Sequence, residues 1–288
     1  MHESAVYNQY LLRLQCPDQL GLMANIANVF SKHNAYINRV SQFGEPNSGI
    51  YNSRVEFDDR SGQFDLVTFE AAFAHMAKTL DMQYTLRLPE HRPRVLIAVS
   101  KYDHCLNVLL NKWRSGVLNI DIVGVYSNHN DCRDLVSFYQ LPYHYLPVDN
   151  TNKLAQEKKV LALMTEYQVD LLVLARYMQI LSDCMCQQLA GKVINIHHSF
   201  LPSFKGARPY QQAHDRGVKL IGATAHYVTA DLDEGPIIVQ EVKPVDHATS
   251  VQDMIEIGHD TESIALARAV RLFAEDRIFL NGERTVIL

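Results

Sequence analysis

Directly after a short apolar run, the chain carries a carboxamide and two imidazoles, Asn195, His197 and His198, followed by Ser199. Alternation along an extended segment sends Asn195 and His197 to the same side. A carboxamide donor beside an imidazole at a strand's end can stabilise an oxyanion, which acyl transfer requires. The same groups would also serve as turn residues that satisfy nearby backbone, and the local pattern leaves both readings open. Further on, Thr229-Ala230-Asp231-Leu232-Asp233-Glu234 crowds hydroxyl and carboxyl groups into one loop. A carboxylate brought from that loop to His197 would hold the imidazole charged or take a proton from water. A solvated acidic loop is the alternative.

For these groups to meet, the intervening chain must fold into a frame. Short apolar runs at Val95–Val99, Ile120–Tyr126, Leu171–Leu174 and Val193–Ile196 are separated by helical patterns around His104–Arg114, Asp131–Tyr139 and Lys153–Tyr167. That is the signature of a parallel sheet covered on both faces. Ligands of such sheets bind beyond the carboxyl ends of the strands, where the polar sequence after Ile196 falls. Ala223–Tyr227 and Ile237–Val239 read as further strands, and Ser250 as the cap of a long closing helix running towards Asp276.

The amino-terminal region follows another order. Tyr10–Cys16 alternates as a strand, and Asp18 is placed to cap a helix with Leu22, Ile26, Val29 and Phe30 on one face. Ala35–Phe43 and Ile50–Phe57 read as strands about a turn, Phe69, Phe73, Met76 and Leu80 recur at helical spacing, and Gln83–Leu88 closes the unit. Strand-helix-strand-strand-helix-strand is the split βαβ, ferredoxin-like arrangement. Pro89-Glu90-His91-Arg92-Pro93 breaks any regular element. The expectation is a ferredoxin-like domain over 1–88, a linker over 89–93, and a Rossmann-like, mostly parallel α/β domain over 94–288.

Two domains suit 288 residues, and 47% hydrophobic with 20% charged residues is an ordinary globular composition. A net charge of -5 gives no electrostatic reason to expect nucleic acid as a partner. The first residues lack the basic start and apolar run of a secretory leader, and no apolar stretch is long enough for a bilayer, so no membrane partner is expected. The five cysteines are scattered, and Cys184 and Cys186 are too closely spaced for the usual zinc hairpin. They read as reduced thiols of a cytoplasmic protein. Zinc is not expected at His197 and His198 either, because adjacent side chains on an extended strand point apart.

Asn195-Ile196-His197-His198-Ser199-Phe200-Leu201-Pro202, then Gly206-Ala207-Arg208-Pro209, Gly222-Ala223-Thr224-Ala225-His226-Tyr227 and Leu232-Asp233-Glu234-Gly235-Pro236-Ile237-Ile238 form a long motif set. It closely resembles the 10-formyltetrahydrofolate deformylases of the formyltransferase superfamily, and the likeness covers nearly all of Arg94–Leu288. The resemblance implies that Asn195, His197 and Asp233 are catalytic. It places the superfamily's folate-binding backbone on Met178, Gln179, Ile180 and Leu181, with Gln179 where an arginine is usual, so only backbone contacts carry over there. His198, Thr229, Ala230, Asp231 and Leu232 join the expected substrate site, and no cofactor beyond the folate substrate is implied.

The amino-terminal unit is similar to an ACT domain, with Cys16-Pro17-Asp18-Gln19-Leu20-Gly21-Leu22 as the strand-to-helix turn. That likeness implies an amino-acid effector such as glycine at Asp18, Leu20, Gly21 and Leu22, and a homo-oligomer through paired ACT units that cover strand edges. A purely structural dimerisation module is the alternative.

The expected reaction is hydrolysis. Asp233 orients or deprotonates a water, which attacks the formyl carbon while Asn195 and protonated His197 stabilise the oxyanion. Formate, usable for purine synthesis, and tetrahydrofolate leave. Formyl transfer to an amine through the same residues is one alternative, and a catalytically silent amino-acid sensor that binds folate is another. Glycinamide ribonucleotide transformylases carry a glycine-rich phosphate loop after the first strand, whereas Ser100-Lys101-Tyr102-Asp103-His104-Cys105-Leu106 has no glycine. His198 also stands where those transformylases usually have proline. Both details favour water as the acceptor.

Overall fold

The structure is a computed structural model that describes residues 7–88, 90–201 and 209–288. Pro89 of the expected linker, and Pro202, Gly206, Ala207 and Arg208 of the motif set, lie outside the described residues. The chain divides into two compact units. One takes the described residues up to His91 together with Asp276–Asn281 and Val286–Leu288; the other takes Arg92–Glu275 and Gly282–Thr285. The residues after Glu275, assigned on sequence to the second domain, thus group mainly with the first.

In the first unit, β1 (Gln9–Pro17), α1 (Leu22–Lys32), β2 (Tyr36–Glu45), β3 (Ile50–Asp58), α2 (Leu66–Thr79) and β4 (Gln83–Arg87) follow the expected order. They form a four-stranded antiparallel sheet of order β2-β3-β1-β4. Alternation on β1 and β3 buries Leu12, Leu14, Val55 and Phe57 against Ile26 and Phe30 of α1 and Phe69 and Phe73 of α2. The rings of Phe30, Phe57 and Phe69 lie with centroids 5.0 to 5.3 Å apart. Asp18 does not cap α1. The helix starts after Gly21, whose φ of 86° lies in the left-handed region that glycine adopts without steric penalty, and no side chain caps it.

The second unit comprises β5 (Arg94–Val99), α3 (His104–Arg114), β6 (Asp121–Ser127), α4 (Arg133–Phe138), β7 (Tyr143–Tyr145), α5 (Lys153–Glu166), β8 (Leu171–Leu174), α6 (Asp183–Gln188), β9 (Val193–His197), α7 (Pro209–Arg216), β10 (Leu220–Tyr227), β11 (Ile237–Pro244) and α8 (Val251–Ala274). Beyond it, β12 (Ile278–Asn281) pairs with β13 (Arg284–Ile287). The central sheet has the order β11-β10-β9-β8-β5-β6-β7. Strands β7, β6, β5, β8 and β9 run parallel, whereas β10 is antiparallel to both its neighbours.

From β5 the chain winds outward through β6 to β7, then crosses back to β8 on the other side. The reversal opens a crevice at the carboxyl ends of β5 and β8, where ligands of such sheets bind. Ser250 caps α8 as expected, in a reciprocal capping box with Asp253. No helix among the described residues is long and apolar enough to cross a membrane.

Candidate active site

Strand β9 buries Ile194 and Ile196 on one side and turns Asn195 and His197 to the other, as alternation requires. The antiparallel neighbour completes that face: Thr224 of β10 lies opposite His197, and His226 opposite Asn195. The ladder from β10 to β11 shifts register between Ala225 and His226. Such irregularities re-aim side chains beside active sites.

After β10 the chain turns back and brings Asp233 over this face. The return is tight: a Cβ on Gly235 would stand 1.8 Å from the Tyr227 carbonyl oxygen, so no larger residue fits. Asp233 itself has a φ of 58°, the left-handed region, which costs a residue with a side chain some strain and recurs at functional sites.

His197 Nδ1 lies 3.2 Å from Asp233 Oδ2, and His226 Nε2 lies 3.6 Å from Asp233 Oδ1. Asn195 Nδ2 is 3.3 Å from His226 Nε2, and His226 Nδ1 lies 2.9 Å from the Tyr227 carbonyl oxygen, so His226 touches both the carboxamide and the carboxyl group. The hydrogen bond from His197, followed by the contact with His226, holds the Asp233 carboxyl well below the usual carboxylate range against the opposing effect of burial. Asp233 is therefore a fixed negative charge and a weak proton acceptor.

His198 departs from expectation. Its ring does not point away from His197 but stacks on it, with centroids 4.8 Å apart and planes at 28°. Strand geometry ends at His197. Thr224 then turns the chain, its hydroxyl donating to the Ser199 carbonyl at 3.0 Å and accepting from the Leu201 amide at 3.1 Å. The two imidazoles are thus not opposed, so strand alternation does not keep them from a shared zinc ion. Burial, followed by the charges of Arg176 and His197, pushes the His198 imidazole down to about 4, so it is neutral at physiological pH.

All the expected catalytic and substrate-binding residues line one cavity of about 820 Å³. Asn195, His197 and Asp233 meet there with Met178, Gln179, Ile180 and Leu181 from the segment after β8, with His198, and with Thr229, Ala230, Asp231 and Leu232 from the loop after β10. The expected effector residues lie in the other unit. Asp18, Leu20 and Gly21 are exposed on the turn between β1 and α1, but Leu22 is only 3% exposed and belongs to the hydrophobic core. Its side chain is closed to an effector.

Sequence reasoning missed His226, whose signal was its two-residue offset from Thr224 in a strand that faces β9. It also missed a buried cluster beside the cavity. Glu262 of α8, fully buried, accepts from Tyr210 Oη at 2.9 Å and lies 2.7 Å from His104 Nε2 and 3.3 Å from Arg176 Nε. Burial raises its carboxyl, but the His104 hydrogen bond, the Arg176 charge and Tyr210 outweigh that and hold it low. Donor atoms of His104, Cys105 and Glu262 fall within 4.8 Å of one another. Because Arg176 already supplies a cation to this carboxylate and burial pushes the Cys105 thiol up, the group is an ion-pair cluster. Nothing in the spacing of Glu262 along its helix marked it out.

Residues 93–270, which hold the doubly wound sheet and the converging carboxamide, imidazole and carboxyl group, match the formyl transferase family. Over 280 residues the chain is 45% identical to formyltetrahydrofolate deformylase of Corynebacterium sp. strain P-1, covering 97% of this chain and 98% of that protein. The crystal structure of formyltetrahydrofolate deformylase from Burkholderia mallei superposes with a TM-score of 0.94 at 44% identity, over 98% of this chain and 99% of that one. The chain belongs to the formyltetrahydrofolate deformylase family. Glycinamide ribonucleotide transformylase 1 from Symbiobacterium toebii is more distant, with a TM-score of 0.65 and 30% identity over 71% of this chain and 98% of that one.

Proposed function

We infer that this protein hydrolyses 10-formyltetrahydrofolate to formate and tetrahydrofolate. The carrying observation is that the His197–Asp233 pair and Asn195 share a cavity with the Met178–Leu181 segment. Water attacks the formyl carbon, and negative charge develops on the formyl oxygen. The Asn195 carboxamide and the Nε2–H of charged His197 donate to that oxygen, a preorganised pair of the kind that stabilises tetrahedral intermediates. The proton shed by the attacking water passes to N10 as the carbon–nitrogen bond breaks, and tetrahydrofolate leaves with formic acid, which gives its acidic proton to solvent as formate. Of the two roles expected for Asp233, its low carboxyl supports the orienting one: it holds the imidazolium and aligns water rather than storing a proton.

This reading uses no group beyond the folate substrate and water. The test is to supply purified protein with 10-formyltetrahydrofolate and no amine acceptor. Stoichiometric formate is expected; turnover that appears only when an amine is added would overturn hydrolysis.

The first unit supports an ACT-like regulatory role through its βαββαβ order and its exposed β1–α1 turn. In this reading Asp18, Leu20 and Gly21 bind a small amino acid such as glycine. Edge strand β2 exposes Tyr36, Val40 and Phe43, which suits edge-to-edge pairing of two copies into a homo-oligomer. Calorimetry with the twenty amino acids tests the effector, and no heat with any of them removes it. Four of the five cysteines are buried and all are free thiols, which suits a reducing compartment, the cytoplasm in this reading. Formate released there is available to purine synthesis.

A further inference from the structure

The stretch that meets the folate in this reading has no secondary structure of its own. It runs between β8 and α6 with Met178, Gln179 and Ile180 exposed, so packing of its own side chains does not fix its backbone. It is held from behind instead. The Tyr177 hydroxyl accepts from Gln156 Nε2 at 2.7 Å. The Met178 amide donates to Ser100 Oγ at 3.0 Å, and that hydroxyl donates to Asn128 Oδ1 at 2.8 Å. At the far end, the Glu157 carboxylate accepts from the Ser182 amide at 2.7 Å and from the Ser182 hydroxyl at 2.5 Å. Ser182 then caps α6 by accepting from the Met185 amide.

Gln156 and Glu157 are neighbours on α5 and only 6% and 5% exposed. The other buried residues of that helix, Val160 and Met164, are apolar and lie in the core. A carboxyl group taken out of water is costly unless its oxygens are satisfied, so a glutamate here needs a reason other than packing. Among the described residues, both hydrogen-bond donors to it come from Ser182, the residue immediately after the Met178–Leu181 segment. With Gln156 on Tyr177 at one end and Glu157 on Ser182 at the other, one turn of helix α5 sets both ends of the segment.

We propose that Glu157 is a positioning residue for folate binding: by anchoring Ser182 it fixes the backbone course of Met178–Leu181, and with it the affinity for the folate. The inference rests on the reading that this segment contacts the folate. Glu157 is remote from Asn195, His197 and Asp233 in its contacts, so its loss acts on binding and leaves the chemical step in place.

The test is Glu157→Gln, which keeps size but offers Ser182 one acceptor oxygen and one misplaced donor. Loss of one charge-assisted hydrogen bond corresponds to a rise of roughly tenfold or more in KM for 10-formyltetrahydrofolate and in the dissociation constant of tetrahydrofolate. The single-turnover rate at saturation is expected within about twofold of the parent, the split that separates binding from chemistry. Ser182→Ala removes the hydroxyl that donates to Glu157 and caps α6 but keeps the amide donor, so KM rises less, and the double variant is less than additive because the two act through one contact.

A folded Glu157→Gln with unchanged KM, or one whose saturating rate falls as far as its affinity, overturns the proposal. If Glu157→Gln does not fold, Ser182→Ala decides: unchanged KM overturns it. Ile180→Ala separates the proposal from the reading beneath it, since Ile180 is exposed in the cavity. If Ile180→Ala leaves folate affinity intact, the segment is not the folate contact and both fall. If it weakens binding while Glu157→Gln does not, the positioning role alone fails.

Discussion

His197 and Asp233 form a pair in which Nδ1 stands 3.2 Å from one carboxyl oxygen, while the other oxygen faces His226 at 3.6 Å. The carboxyl is thus shared between two imidazoles, and the low carboxyl that results keeps Asp233 ionised well below neutrality. Asp233→Asn keeps the shape and removes the charge that holds His197. The expected outcome is a fall in kcat of about two to four decades with little change in KM, measured as formate release. Because ionised Asp233 persists to lower pH than an ordinary aspartate, the acid limb of the kcat profile does not report its titration. An Asp233→Asn protein that folds and turns over at the parent rate would remove Asp233 from the mechanism.

Asn195→Ala deletes one of the two donors to the developing oxyanion. Loss of a single such donor lowers kcat by roughly a hundred- to a thousandfold. Asn195 also meets His226 at 3.3 Å, so Asn195→Asp, which keeps that reach but brings a negative charge to the oxyanion, is expected to be no better than alanine. Kinetics of both variants beside the parent check this.

The parallel half of the catalytic unit was legible because strands buried on both faces read as apolar runs; Leu171–Leu174 is β8 end for end. The site was legible only in part. Asn195 and His197 follow from alternation within one strand, but Asp233 depends on a loop closing over that strand, which no periodicity encodes and which the motif resemblance alone indicated. His226 depends on β10 pairing antiparallel to β9, a choice among partners that lies outside either strand's own pattern. His198 was misjudged because strand geometry was carried one residue too far, past the point where Thr224 turns the chain. Asp18 is a good cap by residue type, yet a glycine in the left-handed region already makes the turn into α1. The three-residue β7 and the six-residue α6 are too short to show a period.

His198 makes stability depend on pH. Its folded value, about 4, is depressed below that of the unfolded chain, near 6.5, so the unfolded state binds more protons in between. This contribution is fully present above about pH 6.5 and is lost as pH falls towards 4. Denaturant titrations are expected to show a midpoint that declines across that window, and His198→Gln to flatten the decline. An unchanged slope in the variant would assign the decline to other groups.

Gly235→Ala tests the tight return after β10. With the new methyl 1.8 Å from the Tyr227 carbonyl oxygen, the backbone must move, and Asp233 two residues earlier moves with it. Overpacking of this kind costs about 1–3 kcal/mol or more, read as a lower Tm, and activity is expected to fall further than the loss of folded protein explains.

Glu262→Ala removes the carboxylate shared by His104, Arg176 and Tyr210 and leaves the largely buried Arg176 guanidinium uncompensated. Breaking a buried pair from one side typically costs about 3–5 kcal/mol. Replacement by glutamine, which can still accept from Tyr210, is expected to cost less, and urea titration of the two variants ranks them.

The β9–β10 ladder has one further consequence. Successive residues of a strand face opposite ways, so a slip of β10 by a single position would exchange Thr224 and His226 for Ala223 and Ala225 on the face opposite Asn195 and His197. One misplaced step would erase at once the turn that stacks His198, the imidazole against Asp233 and the partner of Asn195. Deletions or insertions of one residue within β10 are therefore silent in composition and fatal to catalysis, while exchanges of similar residues along the same strand are comparatively mild.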